Sequence, residues 1–579
     1  MKKTVLRMLK VSLLASGMLA AAPLTFAVAE LDQTVAESGL SGSFLASRVA
    51  IDDNDDAAAV QFLERAVELD NDNPKIRQDY FIALVTNGRI QDAAELVGQP
   101  GGAGQKSNLT GYVVAANEVR KRSWKKASAA VKDVAGVDLD KTLREISLGW
   151  ISAGERKFDE AETRINDLGG PEWTLAMKHY HSGLVAILAG NNELAVQRLQ
   201  AVIDNRAVIT VLTETYIRAI EAKVRLHSRM GDAEKARETL DYGLSLLPSH
   251  SPFNVLNERL TNGETLNNLI TSPQEGTAEL FFNIASAIER DGVSEIAKAY
   301  LQIANHLAPK SDVIKIGLAE LYLRQSYYER SNEFYDAIGE TSPFNRIARL
   351  EKASNLARLE RKEEAIEELR ALIEEDPKDL AGYITLGGLF NREKRYREAA
   401  NVYDDAVANI GAVEPHHWNL YFRRGIAYER LKEWEKAEPN FKKSLELSAN
   451  QPEVLNYLGY SWIDQGINLE EGMDMIRKAV ELRPRSGFIV DSLGWAYFKI
   501  GKYDDAVREL ERAVELMPQD PTINDHLGDA YWMVGRKLEA TFQWKIALAS
   551  DTPPDNPDEI TRKLAEGLDI NKTDAAQAE

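Results

Sequence analysis

Three stretches of the sequence combine residue types and spacings that resemble sites of chemistry, and the first is rich in glycine. Residues 98–107 read GQPGGAGQKS and resemble a loop that holds phosphate groups on its backbone N–H groups. Such a loop needs a glycine directly before its lysine, where this chain has Gln105, and it must join a strand to a helix. Helical patterns lie on both sides here. The sequence therefore predicts a flexible loop between helices.

The second stretch is acidic and resembles a calcium-binding loop. Residues 52–56 read DDNDD. A calcium loop of this kind has glycine at its sixth position and a bidentate glutamate at its twelfth, where this chain has Ala57 and Leu63. The substitution of both positions favours an acidic turn that caps the start of the next helix.

The third stretch is basic. Five cations lie close to Trp124, namely Arg120, Lys121, Arg122, Lys125 and Lys126. A charge run of this kind is typical of a solvated turn. The alternative is a surface that binds an anionic polymer or a lipid headgroup.

The remaining reactive residue types give no recognisable catalytic or metal-binding arrangement. The chain has no cysteine, which excludes disulfides, a thiol nucleophile and an acylated lipoprotein. His179 and His181 are two positions apart on a predicted helix and point in different directions, and His416 and His417 have no companion ligands at metal spacing. Neither HExxH nor GxSxG occurs. We therefore predict that the chain is not an enzyme and binds no cofactor or metal.

The first residues have the pattern of an export signal. Four cations precede an apolar run from Val11 to about Ala22, and Ala27 and Ala29 fit a cleavage site of small residues. Loss of residues 1–29 removes these four cations and would change the formal charge from −20 to −24. This large negative charge makes general binding to nucleic acid unfavourable. The alternative is an uncleaved signal that anchors the chain in the inner membrane, although the run is short for a membrane span.

The organising pattern of the chain is a repeat near its C-terminus. Residues 487–516 match the following segment at a shift of 34 positions. The matched signature residues are Gly494 with Gly528, Tyr497 with Tyr531, Ala506 with Ala540, and Ala513 with Ala547; Gly459 and Pro518 belong to the same signature. Small residues allow two antiparallel helices to cross closely, and a proline after the second helix ends it. This resembles the tetratricopeptide repeat (TPR), a helix–turn–helix unit of 34 residues.

A single hairpin cannot cover its own apolar face, so one repeat predicts a stack of them. The pattern can be followed through about fourteen frames. Their predicted starts are near Leu40, Pro74, Asn108, Thr142, Ala176, Ile217, Ala278, Asp312, Arg346, Leu380, Trp418, Pro452, Gly487 and Pro521. The resemblance implies an all-α solenoid that forms a right-handed superhelix, and no alternating strand pattern competes with it.

The breaks in this pattern predict the domain organisation. We expect a signal peptide over 1–29, a divergent N-terminal TPR array over 30–248, and a linker, either a hinge or a degenerate repeat, over 249–277. A C-terminal array over 278–553, a capping helix over 554–570 and a disordered tail over 571–579 follow. The capping helix would cover the open apolar face of the last repeat.

The family resemblance also implies where a partner would bind. In TPR proteins the concave groove is lined mainly by fixed positions of the first helix of each repeat. Carried onto the last three repeats, these positions give Asn456, Tyr460, Phe488, Asp491, Trp495, Phe498, Asp525, Asp529 and Trp532. We expect Phe498 and Trp532 to be the most exposed of them. An aromatic strip edged by carboxylates and amides suits a peptide or helix of a partner protein. The basic residues that clamp chaperone C-termini in some TPR domains are missing.

About a hundred residues at the C-terminal end resemble exported TPR proteins of Gram-negative bacteria. This resemblance implies a periplasmic scaffold that binds other proteins in cell-envelope integrity or assembly. An adaptor for an envelope polymer, such as peptidoglycan or an exported polysaccharide, is the alternative, and it depends on the basic stretch at Arg120–Lys126. No nucleic-acid partner is expected.

Overall fold

The computed structural model describes residues 34–36, 38–53, 55–104, 107–290, 294–554 and 556–568. Throughout these ranges the regular structure is helical and contains no strand, as the sequence predicted. Their contacts divide the chain into two compact units, with the boundary between Glu360 and Arg361. The predicted signal peptide, with Ala27 and Ala29, and the predicted tail lie outside the described residues.

The N-terminal unit consists of consecutive α-helices. Their bounds are α1 Leu40–Asp52, α2 Asp56–Leu69, α3 Pro74–Thr86, α4 Ile90–Gly98, α5 Asn108–Arg120, α6 Trp124–Lys132, α7 Leu139–Gly154, α8 Phe158–Asn166, α9 Glu172–Ala189, α10 Asn192–Asp204, α11 Thr213–Arg229, α12 Ala233–Leu246, α13 Ser251–Thr261, α14 Pro273–Arg290, α15 Ser294–Leu307, α16 Asp312–Arg324, α17 Tyr328–Asp336 and α18 Asn345–Arg358. A short 3₁₀ helix, Arg206–Thr210, precedes α11.

The C-terminal unit continues the same arrangement. Its helices are α19 Lys362–Glu375, α20 Leu380–Arg392, α21 Tyr396–Asn409, α22 Trp418–Arg430, α23 Trp434–Leu447, α24 Pro452–Asp464, α25 Leu469–Leu482, α26 Gly487–Lys499, α27 Tyr503–Leu516, α28 Pro521–Met533, α29 Lys537–Ala549 and α30 Pro557–Glu566. A 3₁₀ helix, Pro415–His417, precedes α22.

The small signature residues lie where paired helices approach most closely, as predicted. A methyl group added at Gly494 would lie 2.6 Å from Leu510 Cγ, and one at Gly528 would lie 2.4 Å from Trp544 Nε1. At Gly459 the nearest atom is the carbonyl oxygen of Gly472, at 2.7 Å. The facing alanines of the second helices, Ala506, Ala513, Ala540 and Ala547, are completely buried. Larger residues at these positions would separate the helices.

Many of the described hairpin turns contain a residue in the left-handed backbone region. Glycine occupies this position in some hairpins, as at Gly501 with φ of 77° and Gly535 with φ of 83°. In others the residue carries a side chain, as at Lys394 with φ of 57° and Lys432 with φ of 62°. Pro518 follows the end of α27 by two residues. The left-handed turn therefore also occurs in hairpins that have no glycine at this position.

The predicted frames coincide with observed first helices. The frames at Leu40, Pro74, Asn108, Asp312, Leu380, Trp418, Pro452, Gly487 and Pro521 begin at the predicted residue. The others begin a few residues earlier, because the pattern was aligned on a small residue inside the helix.

Residues 249–277, for which the sequence left a hinge or a degenerate repeat open, contain α13 and the first turn of α14. Phe253 of α13 is fully buried and packs where Gly243 of α12 leaves room for its ring. Leu266 and Ile270, which follow α13, are buried as well. The apolar residues of this segment were too widely spaced for the repeat pattern, yet they complete the core of the N-terminal unit.

The C-terminal helix α30 packs against α29 in the place predicted for a cap. Ile560 is 2% exposed and joins a core cluster with Leu527, Tyr531 and Trp544. The described part of the predicted segment ends at Leu568. Within the described ranges, no helix has the length and apolar character needed to cross a membrane.

Candidate functional site

The first helices of the N-terminal hairpins form a surface that we call the N-terminal first-helix face. Five successive first helices contribute to it, namely α3, α5, α7, α9 and α11. The hairpin of α14 and α15 packs against all five of them. This face is therefore occupied by a later part of the same chain.

Two polar side chains of α15 anchor the hairpin near the start of the chain. Lys298 is 1% exposed, and its Nζ lies 3.1 Å from Asp56 Oδ2. Gln302 Nε2 donates a hydrogen bond of 3.1 Å to the carbonyl oxygen of Thr86. Because a buried ammonium or amide group is costly without a partner, these contacts fix the position of α15 against α2 and α3.

A carboxylate of α14 anchors the hairpin at the other end of the face. Arg218 Nε and Nη2 donate to the two carboxylate oxygens of Glu279 at 2.7 Å each. Tyr180 Oη donates to Glu279 Oε1 at 2.8 Å, and Glu279 is 4% exposed. A two-pronged arginine–carboxylate pair requires a defined geometry, so it specifies the register of α14 on α9 and α11.

Aromatic residues fill the space between these anchors. Tyr112 of α5 contacts Phe281 and Tyr300 edge-on, with ring centroids 5.6 and 6.2 Å apart. Trp150 of α7 is completely buried, and a methyl group at Gly276 of α14 would lie 2.4 Å from its ring. Only glycine allows α14 to approach the indole this closely. The hairpin is thus fitted to the face by shape as well as by charge.

The corresponding surface of the C-terminal unit, the C-terminal first-helix face, is formed by α20, α22, α24, α26 and α28. Within residues 361–554 and 556–568, no hairpin packs across these helices as α14 and α15 do in the N-terminal unit. The nine predicted binding residues lie on α24, α26 and α28, which are adjacent. Their degree of exposure varies widely.

Phe488 and Asn456 form the open part of this face. Phe488 is 59% exposed. Asn456 Nδ2 donates to Ser492 Oγ at 3.1 Å, and Ser492 Oγ donates to the Phe488 carbonyl at 2.9 Å. Asn456 Oδ1 is buried and has no hydrogen-bond partner among the described residues. The exposed ring of Phe488 suits contact with an apolar group of another molecule, whereas the buried Asn456 Oδ1 is out of reach of one.

Trp495 and Phe498 do not form the exposed anchor that we expected. The rings of the two residues are parallel, with centroids 4.5 Å apart, and Tyr503 contacts Phe498 from the side. Phe498 is consequently 2% exposed, so the prediction that it is among the most exposed residues is wrong. Trp495 is half-buried, and its other neighbour is His526, whose ring stacks on it at 3.9 Å.

Asp491 pairs with that histidine. His526 Nδ1 lies 2.9 Å from Asp491 Oδ1, and Asp491 is 8% exposed. Burial opposes protonation of His526, but Asp491 outweighs burial, with help from Asp525 and Asp529, and raises the pKa of the imidazole. The half-buried Tyr460 lies nearby, and burial, together with Asp464 and Asp491, raises the pKa of its hydroxyl. This part of the face is a closed, charged network.

The last three predicted residues are covered by the C-terminal helix. Lys563 Nζ of α30 lies 2.9 Å from Asp525 Oδ1 and 2.7 Å from Asp529 Oδ2. Trp544 Nε1 also donates to Asp529 at 3.0 Å. Trp532 is half-buried between Trp544 and Gly567, so its predicted prominence is wrong as well. The capping helix was predicted, but its lysine was not assigned to these carboxylates.

The basic stretch around Trp124 is mostly a turn. Arg120 donates from Nη1 to the carbonyl oxygen of His306 at 2.7 Å, and Lys121 lies 3.8 Å from Glu118. Arg122 occupies the left-handed turn position with φ of 56°. Trp124 packs on Gly154, where an added methyl group would lie 2.6 Å from the indole. The indole of Trp124 packs against the core, and Lys125 and Lys126 are exposed.

The other two stretches have structural roles. Arg77 is 1% exposed and donates from Nε to the carbonyl oxygen of Gly102 at 2.7 Å, which holds the described part of the glycine-rich loop closed. Gln105 and Lys106 lie outside the described residues. Asp55 Oδ1 accepts from the Ala58 N–H at 2.9 Å, so the acidic turn caps α2 as predicted. In the described ranges, no group of histidine, aspartate and glutamate side chains is arranged to hold a metal ion.

Four segments match models of the tetratricopeptide repeat family. Residues 50–109 and 388–452 match models described as tetratricopeptide repeat, residues 290–342 match YpiA-like tetratricopeptide repeats, and residues 494–535 match a TPR repeat. Their positions in both units agree with the observed hairpins.

The similar proteins share short regions or the general architecture. A TPR repeat-containing protein, PA4667 of Pseudomonas aeruginosa, is 30% identical over 96 residues, which are 17% of this chain and 16% of that protein. The chain thus aligns with less than a quarter of this relative. The solved Cut9–Hcn1 hetero-tetramer of the APC/C shows 15% identity, covers 94% of this chain and 99% of its own, and has a TM-score of 0.37.

Yeast Tom70 is a second solved structure of this kind. It shows 13% identity, covers 76% of this chain and 96% of its own, and has a TM-score of 0.37. The identification does not depend on these two superpositions. Together, the hairpins, the buried signature residues and the four family matches show that this chain contains tetratricopeptide repeats in both of its units.

Proposed function

We propose that this chain is a non-catalytic periplasmic scaffold that binds partner proteins through the C-terminal first-helix face, in the integrity or assembly of the cell envelope. One contrast carries the proposal. The N-terminal first-helix face holds the chain's own hairpin, whereas the C-terminal face presents Phe488, which is 59% exposed.

The intramolecular hairpin indicates what kind of partner suits such a face. The helices α14 and α15 contribute aromatic rings, a glycine at the closest approach, and buried polar groups paired one to one. On the C-terminal face, an aliphatic or aromatic side chain of a partner would cover Phe488. A helix or extended peptide of a partner protein offers such a side chain.

The proposed location is supported by the sequence of the first 29 residues and by the resemblance of the C-terminal repeats to exported proteins. Binding to an envelope polymer is not favoured, because Trp124 packs on Gly154 and Arg120 is bound to His306.

The proposal can be tested by photo-crosslinking in growing cells. A photoreactive phenylalanine derivative replaces Phe488 in one strain and Phe542 in another. The two side chains have similar exposure, 59% and 56%, but Phe542 lies on the second helix of the last repeat. We expect a discrete adduct from position 488 that position 542 does not give.

Binding by the captured partner is then measured with purified proteins. Truncation of an exposed interface aromatic usually costs about 1–3 kcal/mol, so Phe488→Ala should weaken binding roughly 10- to 100-fold. Phe542→Ala should leave the affinity unchanged. Equal adducts from both positions, or an unchanged affinity after Phe488→Ala, would remove this face from consideration.

Location is tested separately. N-terminal sequencing of the protein recovered from the periplasmic fraction should begin directly after Ala29. Recovery in the membrane fraction with residues 1–29 intact would support the uncleaved anchor instead.

A further inference from the structure

The last second helix of the array, α29, is apolar on two sides. Trp544 and Ala547 face the core and are completely buried. Leu538, Phe542 and Ile546 lie on another side and remain 68%, 56% and 41% exposed. They follow one another at intervals of four residues and therefore form a single ridge, which we call the α29 ridge. A helix that is apolar all round is usually covered on every side.

The repeat register shows that this ridge departs from the rest of the C-terminal unit. The same three positions of the two preceding second helices carry charged side chains. They are Asp504, Arg508 and Arg512 in α27, and Glu470, Asp474 and Lys478 in α25. Within the residues that the structure describes, no other helix exposes three large apolar side chains. The change from charged to apolar residues at one end of the array indicates a surface that another molecule covers.

The chain's own C-terminal helix leaves the ridge exposed. Lys563 of α30 binds Asp525 and Asp529, which lie on the first helix of the last hairpin. The exposures of the ridge residues are those with α30 in place. The eleven residues after Leu568 read DINKTDAAQAE and contain one large apolar residue, Ile570. They offer too little apolar surface to cover three large side chains.

The size of the ridge indicates a weak, symmetric contact. Its three side chains expose on the order of 300 Å² of apolar surface, comparable with the largest apolar patch of a typical monomer. Two such ridges packed together, with the polar side chains at their borders, would bury less than about 1,200 Å², which is typical of weak and transient protein contacts. A two-fold contact uses the same surface on both subunits, so it would cover both ridges at once.

The charges around the ridge do not favour a lipid surface instead. Glu539 and Lys545 border the ridge on opposite sides of Phe542. Arg536 is bound to Glu511 and Glu539. The border therefore lacks the cluster of free cations with which a peripheral helix binds anionic headgroups. The ridge itself contains no charge that would repel a second copy of the same ridge.

We infer that two copies of this chain associate through the α29 ridge. Residues four apart on one helix fit into the groove beside the same residues of a facing helix. Phe542 lies in the middle of the ridge, so a two-fold axis brings the two Phe542 side chains together whichever way the helices run. The ridge belongs to a second helix, and pairing does not use the first-helix residues proposed to bind a partner protein. The inference is therefore independent of the proposed function.

Sedimentation equilibrium of the purified chain from residue 30 onwards tests the inference at about 1 to 100 µM. We expect a dimer with a Kd on the order of 10 µM. Phe542→Arg should weaken the association at least tenfold, because it places two cations together in the contact. The matched control is Phe488→Arg, since Phe488 is similarly exposed, at 59%, on a first helix. A monomer throughout this range, or equal effects of the two substitutions, would overturn the inference.

Cross-linking assigns the contact to the ridge. The chain has no cysteine, so a single introduced thiol reports on its own position. Phe542→Cys should form an intermolecular disulfide under mild oxidation, and Arg508→Cys, at the corresponding position of α27, should form little. In cells, a photoreactive residue at position 542 should capture a second copy of the chain, an adduct that position 488 does not give. Absence of the disulfide at position 542, or equal yields at both positions, would contradict the assignment.

Two further measurements distinguish the other possible occupants. Flotation with vesicles of phosphatidylglycerol and phosphatidylethanolamine tests the lipid surface. Binding of a monomeric chain to these vesicles that Phe542→Arg abolishes would assign the ridge to lipid and overturn the inference. A chain that ends at Leu568 tests the remaining residues. Dimerisation of this shortened chain alone, with the full chain monomeric, would show that the chain's own end covers the ridge.

Discussion

Lys298 and Asp56 are separated by 242 positions in the sequence, and their side chains are 3.1 Å apart in the N-terminal unit. The lysine is almost completely buried, and Tyr322 Oη donates to the same carboxylate at 3.3 Å. This pair connects α15 to the beginning of the repeat array. It is the longest-range of the contacts that hold α14 and α15 on the N-terminal first-helix face.

Replacement of Lys298 by methionine should destabilise the N-terminal unit by about 2–4 kcal/mol, because it leaves Asp56 without its cation in a partly buried site. Chemical denaturation measures the loss of stability. Hydrogen exchange of the amides of α3 and α15 then shows whether the loss is in the N-terminal unit. The double variant Asp56→Asn, Lys298→Met should cost less than the sum of the single variants. Strict additivity would show that the two side chains are not coupled.

The closest approach between the hairpin and its face predicts a second effect. Gly276→Ala would place a methyl group 2.4 Å from the Trp150 ring. Alanine usually stabilises a helix by about 1 kcal/mol relative to glycine. A loss of stability here would therefore come from the disrupted packing of α14 against Trp150. We expect Gly276→Ala to lower the melting temperature of the N-terminal unit and to increase hydrogen exchange in α14.

The matched control is Gly388→Ala in α20. There the nearest atom to an added methyl group, other than the helix itself, is Arg423 Nη1 at 3.9 Å. This variant should be neutral or more stable. If both variants became more stable to a similar extent, helix propensity alone would explain the result.

The C-terminal unit should lose stability as the pH rises. Asp491 raises the pKa of His526 above its usual value despite burial. The folded unit therefore binds a proton more tightly than the unfolded chain. This contribution is fully present below the unfolded pKa of about 6.5, and it is lost as the pH rises through the folded pKa.

His526→Asn tests this dependence, because asparagine keeps a donor near Asp491 without titrating. Hydrogen exchange of α26 and α28, corrected for intrinsic rates, should show that the advantage of the wild type over the variant shrinks between pH 6 and pH 9. An advantage that grows with pH would contradict the assignment.

The N-terminal unit should show the opposite trend at His181. This residue is completely buried, accepts a hydrogen bond of 3.2 Å from Trp150 Nε1 on its Nδ1, and has a pKa that burial lowers to about 3. The unfolded chain binds a proton near pH 6.5 that the folded unit does not. Stability is therefore lost as the pH falls below about 6.5.

His181→Asn retains an acceptor for Trp150 and does not titrate. Between pH 7 and pH 5 the wild type should lose about 2 kcal/mol more than the variant, since each pH unit below 6.5 costs about 1.4 kcal/mol per proton. Hydrogen exchange of α9 reports this difference. Parallel losses in the two proteins would place the acid sensitivity elsewhere.

The sequence predicted the local architecture well because the signals are local. Gly494 and Gly528 contact residues of the very next helix, so the spacing that reveals them also determines the hairpin. The same applies to the cap, since the end of any solenoid needs one. The helix starts at Glu172 and Pro273 were missed by a few residues, although Pro171 and Pro273 mark them.

The occupied face could not be predicted in this way. The repeat signature of α14 and α15 is the same as that of the other hairpins, and Lys298, Gln302 and Glu279 look like solvent-facing positions in the sequence. Their partners, Asp56, Thr86 and Arg218, are between 61 and 242 positions away. The 34-residue repeat pattern does not indicate contacts between residues so far apart in the sequence.

The exposure of individual groove residues could not be predicted from the sequence either. Family positions correctly placed Phe488 on the surface, but they could not show that Trp495 and Tyr503 would cover Phe498. Asp525 and Asp529 were expected to face a partner and instead bind Lys563 of the chain's own last helix. Trp495 was predicted as a groove residue and the capping helix was predicted as an element, but the contacts that they make were not.

The position of the hairpin on the N-terminal first-helix face also has a consequence for biosynthesis. The ribosome completes α3, α5 and α7 long before it reaches residue 307. During that interval Tyr112, Trp150 and Tyr180 have no hairpin to cover them, although they are buried in the finished unit. The nascent chain must therefore carry an uncovered aromatic surface that only its own later translation can close. In this respect the chain differs from a repeat array whose units are complete as soon as their nearest neighbours have been made.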